Sequence, residues 1–358
     1  MKVGIMLPTM QSVAINAAAL AAAESLGVDD VWLNDHLLGW THPALWPEFP
    51  ASAMLPDPDA MLDPFVTAGA LRAATGLRMG LCVADVTRTR GPNLARAALT
   101  LQGIGDSEFV LGLGAGEAES ILPFGYDWRT PIGNLERALT EVRSLLDTGT
   151  MPDDPVGRTG LPRDRVPPVW VAAMQPRALR LAGRYADGWL PIGMGPEAYA
   201  EQHAVVAAAA RDAGRPMPET SVLNPVLFGE SRDAIGALLE RVPVVKLLAL
   251  FVSAHKWARF GLEHPCGPSC RGYLDAIPHA LDPAQLRELA PKIPLELLEE
   301  FAMIGNAEEI AAQRIAPLAR EGARHVLLAD VTGTTYEPAE AVRHSGELAK
   351  LTAILRGL

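Results

Sequence analysis

The fold is indicated most clearly by a unit that joins a short apolar run, a patch of small residues and a proline that can start a helix. One copy reads Pro168-Val169-Trp170-Val171-Ala172-Ala173-Met174-Gln175-Pro176. Along the chain, short runs rich in β-branched residues alternate with long Ala/Leu/Arg segments of helical period. This alternation is typical of a parallel sheet whose strands are joined by crossover helices.

Eight such runs are predicted to be strands. They are Val3–Leu7, Val31–Leu33, Arg78–Val83, Phe109–Leu113, Pro168–Ala172, Gly188–Pro191, Ser221–Phe228 and His325–Asp330. Helices are predicted near residues 13–26, 59–74, 92–104, 132–148, 176–186, 196–213, 306–321 and 338–356. Eight strands with helices between them favour an α/β fold of the closed (β/α)8 TIM-barrel type over an open sheet.

Two regions interrupt the alternation. Residues 37–59 are rich in proline and tryptophan and follow the second strand, so we expect an ordered loop over the barrel mouth. Residues 243–303 are longer than one strand-helix unit needs and are predicted to be an insertion after the seventh strand. Since no linker composition separates this segment, one domain is expected over residues 1–358.

Composition narrows the class of protein. A net charge of −11 argues against binding to a nucleic-acid backbone, which requires clustered lysine and arginine. The 49% hydrophobic content is typical of a globular enzyme with a large core. No apolar run is long enough to span a bilayer, and the start lacks a signal-peptide pattern. We therefore expect a cytoplasmic protein with reduced cysteines, no membrane span and no nucleic-acid partner.

Barrel enzymes carry their chemistry on the loops that follow the strands, which makes the polar residues there the first candidates. The second strand is followed by Asn34-Asp35-His36 and then by Trp40. An acid beside an imidazole can fix its tautomer and raise its basicity, which suits proton transfer near neutral pH. A loop-capping aspartate and a solvent-facing histidine explain the pair equally well.

The loops after the third, fourth and fifth strands contain thiol, glycine and alanine residues. Cys82 begins the stretch Cys82-Val83-Ala84-Asp85. A small thiol that points into a barrel usually serves packing, so a packing role is favoured over a catalytic one. The glycines of Gly112-Leu113-Gly114-Ala115-Gly116-Glu117 allow the backbone to approach a flat or phosphorylated ligand and leave a carboxylate at the rim. A Rossmann site is disfavoured because no acidic strand end follows about 20 residues later. Ala172 and Ala173 suit close ligand approach or tight packing.

A zinc site can be imagined from His255, His264, Cys266 and Cys270. The spacing of the two cysteines is within the range of zinc sites, but the prolines and glycine around them indicate a turn, and no second cysteine pair exists. No metal is expected.

Together these strand ends resemble the luciferase-like superfamily over nearly the whole chain, and its F420-dependent branch in particular. The resemblance is strongest at Asn34–His36, Leu111–Glu117 and Pro168–Gly188. It implies coenzyme F420 as the cofactor, with FMN as the alternative, and a homodimer, which is usual in this superfamily.

The resemblance also implies roles for individual residues. Asp35, His36 and Glu117 would lie at the deazaflavin as catalytic residues, and a cis peptide bond would join Cys82 to Val83 behind the cofactor ring. The full set of implied cofactor contacts is Asp35, Trp40, Cys82, Val83, Asp85, Gly114, Gly116, Glu117, Ser120, Ala172, Ala173, Met174 and Gln175.

Within that branch the chain looks like the phthiodiolone ketoreductase group at Cys82–Asp85, Lys256–Pro265 and Ala276–Pro278. It departs from the sugar-phosphate dehydrogenases of the branch, because Met174-Gln175 stands in place of paired glycines and Ser120 in place of an asparagine. A sugar phosphate is therefore not the expected substrate.

The predicted function is an F420-dependent reductase that transfers a hydride between C5 of the deazaflavin and a carbonyl or activated alkene of a small-molecule or peptide substrate. His36 is the expected proton donor, oriented by Asp35, and Glu117 is the second candidate. The aromatic residues Trp40, Trp46 and Phe49, with Trp257 and Phe260 of the insertion, suit either an apolar substrate pocket or lid packing.

Three alternatives stay open from the sequence. An FMN-dependent monooxygenase shares the fold, and an F420H2-dependent reductase of dehydroamino acids in a modified peptide shares both the fold and the cofactor. A non-catalytic flavin-binding member is disfavoured by the joint presence of Asp35, His36 and Glu117.

Overall fold

The computed structural model describes residues 1–8, 10 and 12–358. Its strands are β1 (Lys2–Met6), β2 (Asp30–Leu33), β3 (Arg78–Leu81), β4 (Ala84–Asp85), β5 (Phe109–Gly114), β6 (Val169–Val171), β7 (Gly188–Trp189), β8 (Glu219–Phe228), β9 (Met303–Gly305) and β10 (His325–Asp330). The helices are α1 (Val13–Leu26), α2 (Pro64–Arg72), α3 (Gly91–Gln102), α4 (Ala118–Ile121), α5 (Pro131–Asp147), α6 (Pro176–Tyr185), α7 (Pro196–Asp212), α8 (Arg232–Arg241), α9 (Ala254–Ala258), α10 (Pro283–Leu289), α11 (Leu295–Leu298), α12 (Ala307–Ile310), α13 (Ala316–Arg320), α14 (Thr332–Thr335) and α15 (Pro338–Arg356).

The parallel strands close into a barrel. The order β1-β2-β3-β5-β6-β7-β8 runs around it, and β10 completes the ring by pairing with both β8 and β1. The short β4 extends the β3 position and pairs with β5, while β9 pairs with the last residues of β8. The predicted (β/α)8 barrel is therefore confirmed, and the carboxyl ends of its strands form one mouth.

The eight predicted strands are present with ends shifted by a few residues, apart from the third. That run is split into β3 and β4 at Cys82–Val83, where the ladder is interrupted. The structure also contains two elements that were not predicted from the sequence, β9 and α8. Strand β9 is too short to give a recognisable pattern. Helix α8 starts at a Ser231 cap, whose hydroxyl accepts a hydrogen bond from Ala234 N–H.

Strand residues alternate between the barrel interior and the helical layer, as the period of two requires. Trp32 and Trp170 pack together inside, with their ring centroids 5.0 Å apart. Their neighbours Val31, Leu33 and Val171 join the core between the strands and the helices. The two indoles therefore occupy the interior of the barrel.

Four charged residues lie together at the amino ends of the strands. Asp30 pairs with Arg78 at 2.8 Å and with His325 at 3.1 Å, and neither Asp30 nor His325 is exposed. Glu219 lies 3.5 Å from His325 and 3.4 Å from Arg78. We call this group the amino-end cluster.

The loop after β2 and the insertion pack on each other as a second apolar core. The loop forms 3₁₀ turns at Pro43–Glu48 and Pro50–Ala53, in which Trp46 and Phe49 are buried. The insertion begins with a buried 3₁₀ segment, Pro243–Phe251, and contributes the fully buried Trp257. These aromatic residues therefore serve packing, one of the two roles left open by the sequence. A single domain over the whole chain stays a prediction.

Within the described part of the chain, no helix has both the length and the apolar character needed to cross a membrane.

Candidate active site

A cavity opens at the carboxyl ends of the strands, where the loops after β2, β5, β6 and β7 meet the insertion. Most of the residues singled out from the sequence line it. The lining consists of Asp35, His36, Val83, Asp85, Gly114, Ala115, Gly116, Glu117, Ser120, Ile132, Ala172, Ala173, Met174, Gln175, Ala178, Leu190, Ile192, Tyr273 and Leu274. Eleven of the thirteen predicted cofactor contacts are in this set, together with the third catalytic candidate, His36.

His36 is held by a carboxylate, but not by the one expected. Its Nδ1 atom lies 2.9 Å from Oε1 of Glu119 and 3.6 Å from Oε2 of Glu117. Asp35 does not orient the ring by a hydrogen bond, so that part of the sequence interpretation is wrong. Adjacent residues in extended chain point to opposite sides, which sends the two side chains to different partners. We call His36, Glu117 and Glu119 the carboxyl-end cluster.

Asp35 belongs to a separate ion-pair group beside the histidine. Arg88 lies 3.0 Å from Asp35 Oδ1 and 3.0 Å from Asp85 Oδ2, and it also donates to the Asp35 carbonyl. The backbone N–H of Asp85 donates to Asp35 Oδ2. One guanidinium thus bridges two carboxylates and fixes the loop after β2 against β4.

The carboxyl-end cluster holds more negative charge than its cation can balance. Burial lowers the pKa of His36, but the carboxylates of Glu117 and Glu119 outweigh burial and raise it to about 9. Burial raises the pKa of Glu117 to about 8; His36 opposes this rise and Glu119 adds to it. Near neutral pH the cluster therefore has a protonated imidazole and a carboxyl group that can hold a second proton.

Two oxygen atoms of this cluster have no protein partner. Oε2 of Glu117 and Oε2 of Glu119 are buried and form no hydrogen bond with the described residues. A buried carboxylate oxygen without a donor is costly, and such atoms are uncommon in folded proteins. A polar ligand or water in the cavity would satisfy them.

The glycines of the β5 loop are explained chiefly by the protein backbone. A Cβ atom on Gly114 would lie 2.5 Å from Cγ2 of Val83, so glycine is needed for close packing. Gly116 has φ +87°, a left-handed conformation that side chains disfavour. Both residues also line the cavity, where the absent side chains leave room for a flat group.

The peptide bond between Cys82 and Val83 is cis, as the resemblance predicted. Val83 faces the cavity, whereas Cys82 is buried behind it and is not among the lining residues. Burial raises the pKa of the Cys82 thiol well above its ordinary value, which suits packing. Trp40 also lies outside the lining: its ring makes an edge contact with Phe49, with the centroids 5.2 Å apart.

Two residues of the site, Glu119 and Tyr273, were missed from the sequence. Glu119 follows Glu117 by two positions, and its acidic character in the first turn of α4 gave no sign that it would be 2% exposed. Tyr273 comes from the insertion, and it lines the cavity together with Glu117. Its position depends on how the insertion folds back, which no local pattern reveals.

Comparison with known proteins identifies the family of the chain. The family model described as luciferase-like monooxygenase matches residues 1–325. A phthiodiolone/phenolphthiodiolone dimycocerosates ketoreductase of Mycobacterium kansasii is 35% identical over 95% of this chain and 96% of its own length. An F420-dependent glucose-6-phosphate dehydrogenase of Nakamurella multipartita is 25% identical over 86% of this chain and 83% of its own length.

Solved structures share the fold at low identity. An F420-dependent secondary alcohol dehydrogenase in complex with an F420-acetone adduct has a TM-score of 0.73 and 18% identity, covering 99% of both chains. The oxygenating constituent of 3,6-diketocamphane monooxygenase from Pseudomonas putida, in complex with FMN, has a TM-score of 0.65 and 16% identity, covering 98% of both. The chain belongs to the luciferase-like family of oxidoreductases.

Proposed function

We propose that the protein is an F420-dependent reductase that acts on a carbonyl or activated alkene of a largely apolar substrate. The observation that carries the proposal is the carboxyl-end cluster: a histidine between two carboxylates, with two buried oxygens lacking partners, at the edge of an apolar cavity. The names of the relatives support both the cofactor and the reaction class, since one is called F420-dependent and another a ketoreductase.

The residues present suit a flat deazaflavin. Val83, Gly114 and Ala172 give one part of the cavity small side chains, and Ser120 and Gln175 add polar groups at its rim. A bound deazaflavin would supply a hydride donor or acceptor at its C5 atom. The protein's part is to hold that group, to exclude water and to supply a proton.

The proton is assigned to His36. Because Nδ1 is engaged by Glu119, Nε2 is the nitrogen that can present a proton to a ligand. The raised pKa of His36, about 9, keeps the ring protonated at neutral pH. Glu119 is the group that orients the ring, and Glu117, whose pKa is raised to about 8, is a second proton holder. A general acid positioned in this way typically raises the reaction rate roughly 100- to 10,000-fold.

The rest of the lining favours an apolar substrate. Ile132, Ala178, Leu190, Ile192 and Leu274 give the cavity an apolar side. Among the lining residues of the described chain there is no lysine or arginine, the side chains that usually bind a phosphate. This composition supports a ketone on a hydrocarbon framework over a sugar phosphate.

The decisive experiment is a fluorescence titration of the purified protein with F420 and FMN in oxidised and reduced forms. We expect F420 to bind at least roughly tenfold more tightly than FMN, a difference of about 1.4 kcal/mol. Ala172→Leu, which adds bulk to the cavity wall, should weaken binding, while Val342→Leu on the exposed face of α15 should not. Equal or tighter binding of FMN overturns the cofactor assignment.

A further inference from the structure

A second group of reactive side chains lies in the insertion, outside the candidate active site. The ligating atoms of His264, Cys266 and Cys270 all lie within 4.8 Å of one another. Both cysteines are free thiols, with Cys270 buried and Cys266 partly exposed. Two consecutive turns bring them together: Gly267 N–H donates to the His264 carbonyl, and Cys270 N–H donates to the Gly267 carbonyl.

The hydrogen bonds of His264 argue against a metal at this place. Its Nε2 atom lies 2.9 Å from the Leu250 carbonyl and so carries the proton it donates. Its Nδ1 atom accepts the backbone N–H of Cys266 at 3.0 Å. Both ring nitrogens thus bond to the main chain, with Cys270 Sγ a further neighbour of Nε2 at 3.7 Å, and the group offers no fourth side-chain ligand among the described residues.

Their surroundings make the two sulfurs unequal, since Cys270 is buried and Cys266 only partly so. The neighbouring Cys270 thiol lowers the pKa of the Cys266 thiol, whereas the partnership with Cys266 together with burial raises the pKa of Cys270. The exposed sulfur is therefore the nucleophile and the buried one the resolving thiol, the division of roles found in redox-active cysteine pairs.

We propose that Cys266 and Cys270 form a reversible intramolecular disulfide and are a redox modification site whose oxidant is a hydroperoxide. The Cys266 thiolate attacks the peroxide and breaks its O–O bond, which gives a sulfenic acid and releases an alcohol or water after protonation. The Cys270 sulfur then attacks the Cys266 sulfur, so that the S–S bond forms, the S–O bond breaks, and water leaves with the Cys270 proton. A dithiol returns the two electrons.

The pair is connected to the candidate active site through two residues. Gly272 N–H donates to Cys270 Sγ at 3.3 Å, and the next residue, Tyr273, lines the cavity together with Glu117. Disulfide formation draws Cys270 Sγ toward Cys266 to about 2 Å and away from Gly272 N–H. This second part rests on the proposed function: oxidation should change turnover by roughly two- to tenfold, the effect of one hydrogen bond.

The test is mass spectrometry of the full chain treated with hydrogen peroxide or with dithiothreitol, followed by alkylation and peptide mapping. Trypsin leaves Cys266 and Cys270 in one peptide, and we expect peroxide to lower the mass of that peptide by two hydrogen atoms and to make it resistant to alkylation, and dithiothreitol to reverse both changes. Cys82 should stay reduced. At pH 6, Cys266 should be alkylated at least roughly tenfold faster than either other cysteine.

Matched variants separate the roles. Cys266→Ser should abolish the reaction with peroxide, Cys270→Ser should stop at sulfenic acid, and Ser269→Ala, an exposed neighbour in the same turn, should behave like the wild type. Retention of zinc with resistance to alkylation, or over-oxidation of Cys266 without a disulfide, overturns the proposal. Because this test detects a covalent bond between two cysteines, its result does not depend on the cofactor assignment. Failure of the cofactor assignment would show only as absent F420 binding.

Discussion

The barrel holds a histidine between two carboxylates at each of its ends. The two clusters differ in how fully their charges are balanced and their hydrogen bonds satisfied. In the amino-end cluster, His325, Asp30 and Glu219 share Arg78, and none of their buried side-chain atoms lacks a partner. In the carboxyl-end cluster, Glu117 and Glu119 share His36, and one oxygen of each forms no hydrogen bond with the described residues. A satisfied network stabilises the fold, whereas an unsatisfied one leaves acceptors that water or a ligand could occupy.

The two clusters also differ in how they hold protons. At the amino end, burial would raise the pKa of Asp30, but His325 and Arg78 outweigh burial and lower it. At the carboxyl end, burial prevails and raises the pKa of Glu117. The first cluster therefore stays fully charged near neutral pH, and the second keeps a transferable proton. This is the division expected between the stability face and the active-site face of a barrel.

The largest effect should come from removing the imidazole at the carboxyl end. His36→Ala is expected to lower F420-dependent turnover by roughly 100- to 10,000-fold, because it removes the placed proton donor. F420 affinity should change far less. Steady-state kinetics with a fluorescence titration measures both quantities, and turnover equal to that of the wild type contradicts the role of His36.

At the amino end, the expected loss is in stability. Asp30→Asn leaves Arg78 and His325 without their buried counter-ion and should lower the free energy of unfolding by about 3–5 kcal/mol. Turnover of the remaining folded protein should be unchanged. Urea denaturation measures the first effect, and a variant as stable as the wild type would show that this network is not structural.

The matched substitution at the carboxyl end should have the opposite effect on the free energy of unfolding. Glu119→Gln removes one carboxylate from an overcharged cluster, so the free energy of unfolding should rise by about 1 kcal/mol while turnover falls. The pKa of His36 should also fall, which an NMR titration of its ring protons can follow. A loss of stability as large as that of Asp30→Asn would remove the distinction between the clusters.

The last expected effect is a pH dependence of stability. The pKa of His36 is raised from 6.5 to about 9 in the folded state, so its protonated form stabilises the fold. That contribution is fully present below pH 6.5 and is lost as the pH rises through about 9. The stability difference between the wild type and His36→Ala should therefore shrink over this interval. Urea denaturation at several pH values would show a constant difference if the pKa were not raised.

Strand-end position predicted much of the site, because the chain order of a barrel fixes which loops share a mouth. Asp35, His36, Glu117 and Ala172 were found in this way, and all four line the cavity. Which carboxylate holds His36 could not be predicted, since it depends on the turn between β5 and α4. The placement of Tyr273 depends on packing between distant segments, which leaves no periodic trace in the sequence.

The contrast between the two ends can be tested directly by hydrogen–deuterium exchange of the protein with and without saturating F420. We predict that F420 protects backbone amides in the segments 114–120 and 172–175, which line the cavity, and leaves exchange at 30–33 and 325–330 unchanged. Protection confined to the amino-end segments, or no protection at the carboxyl-end segments, would contradict the account.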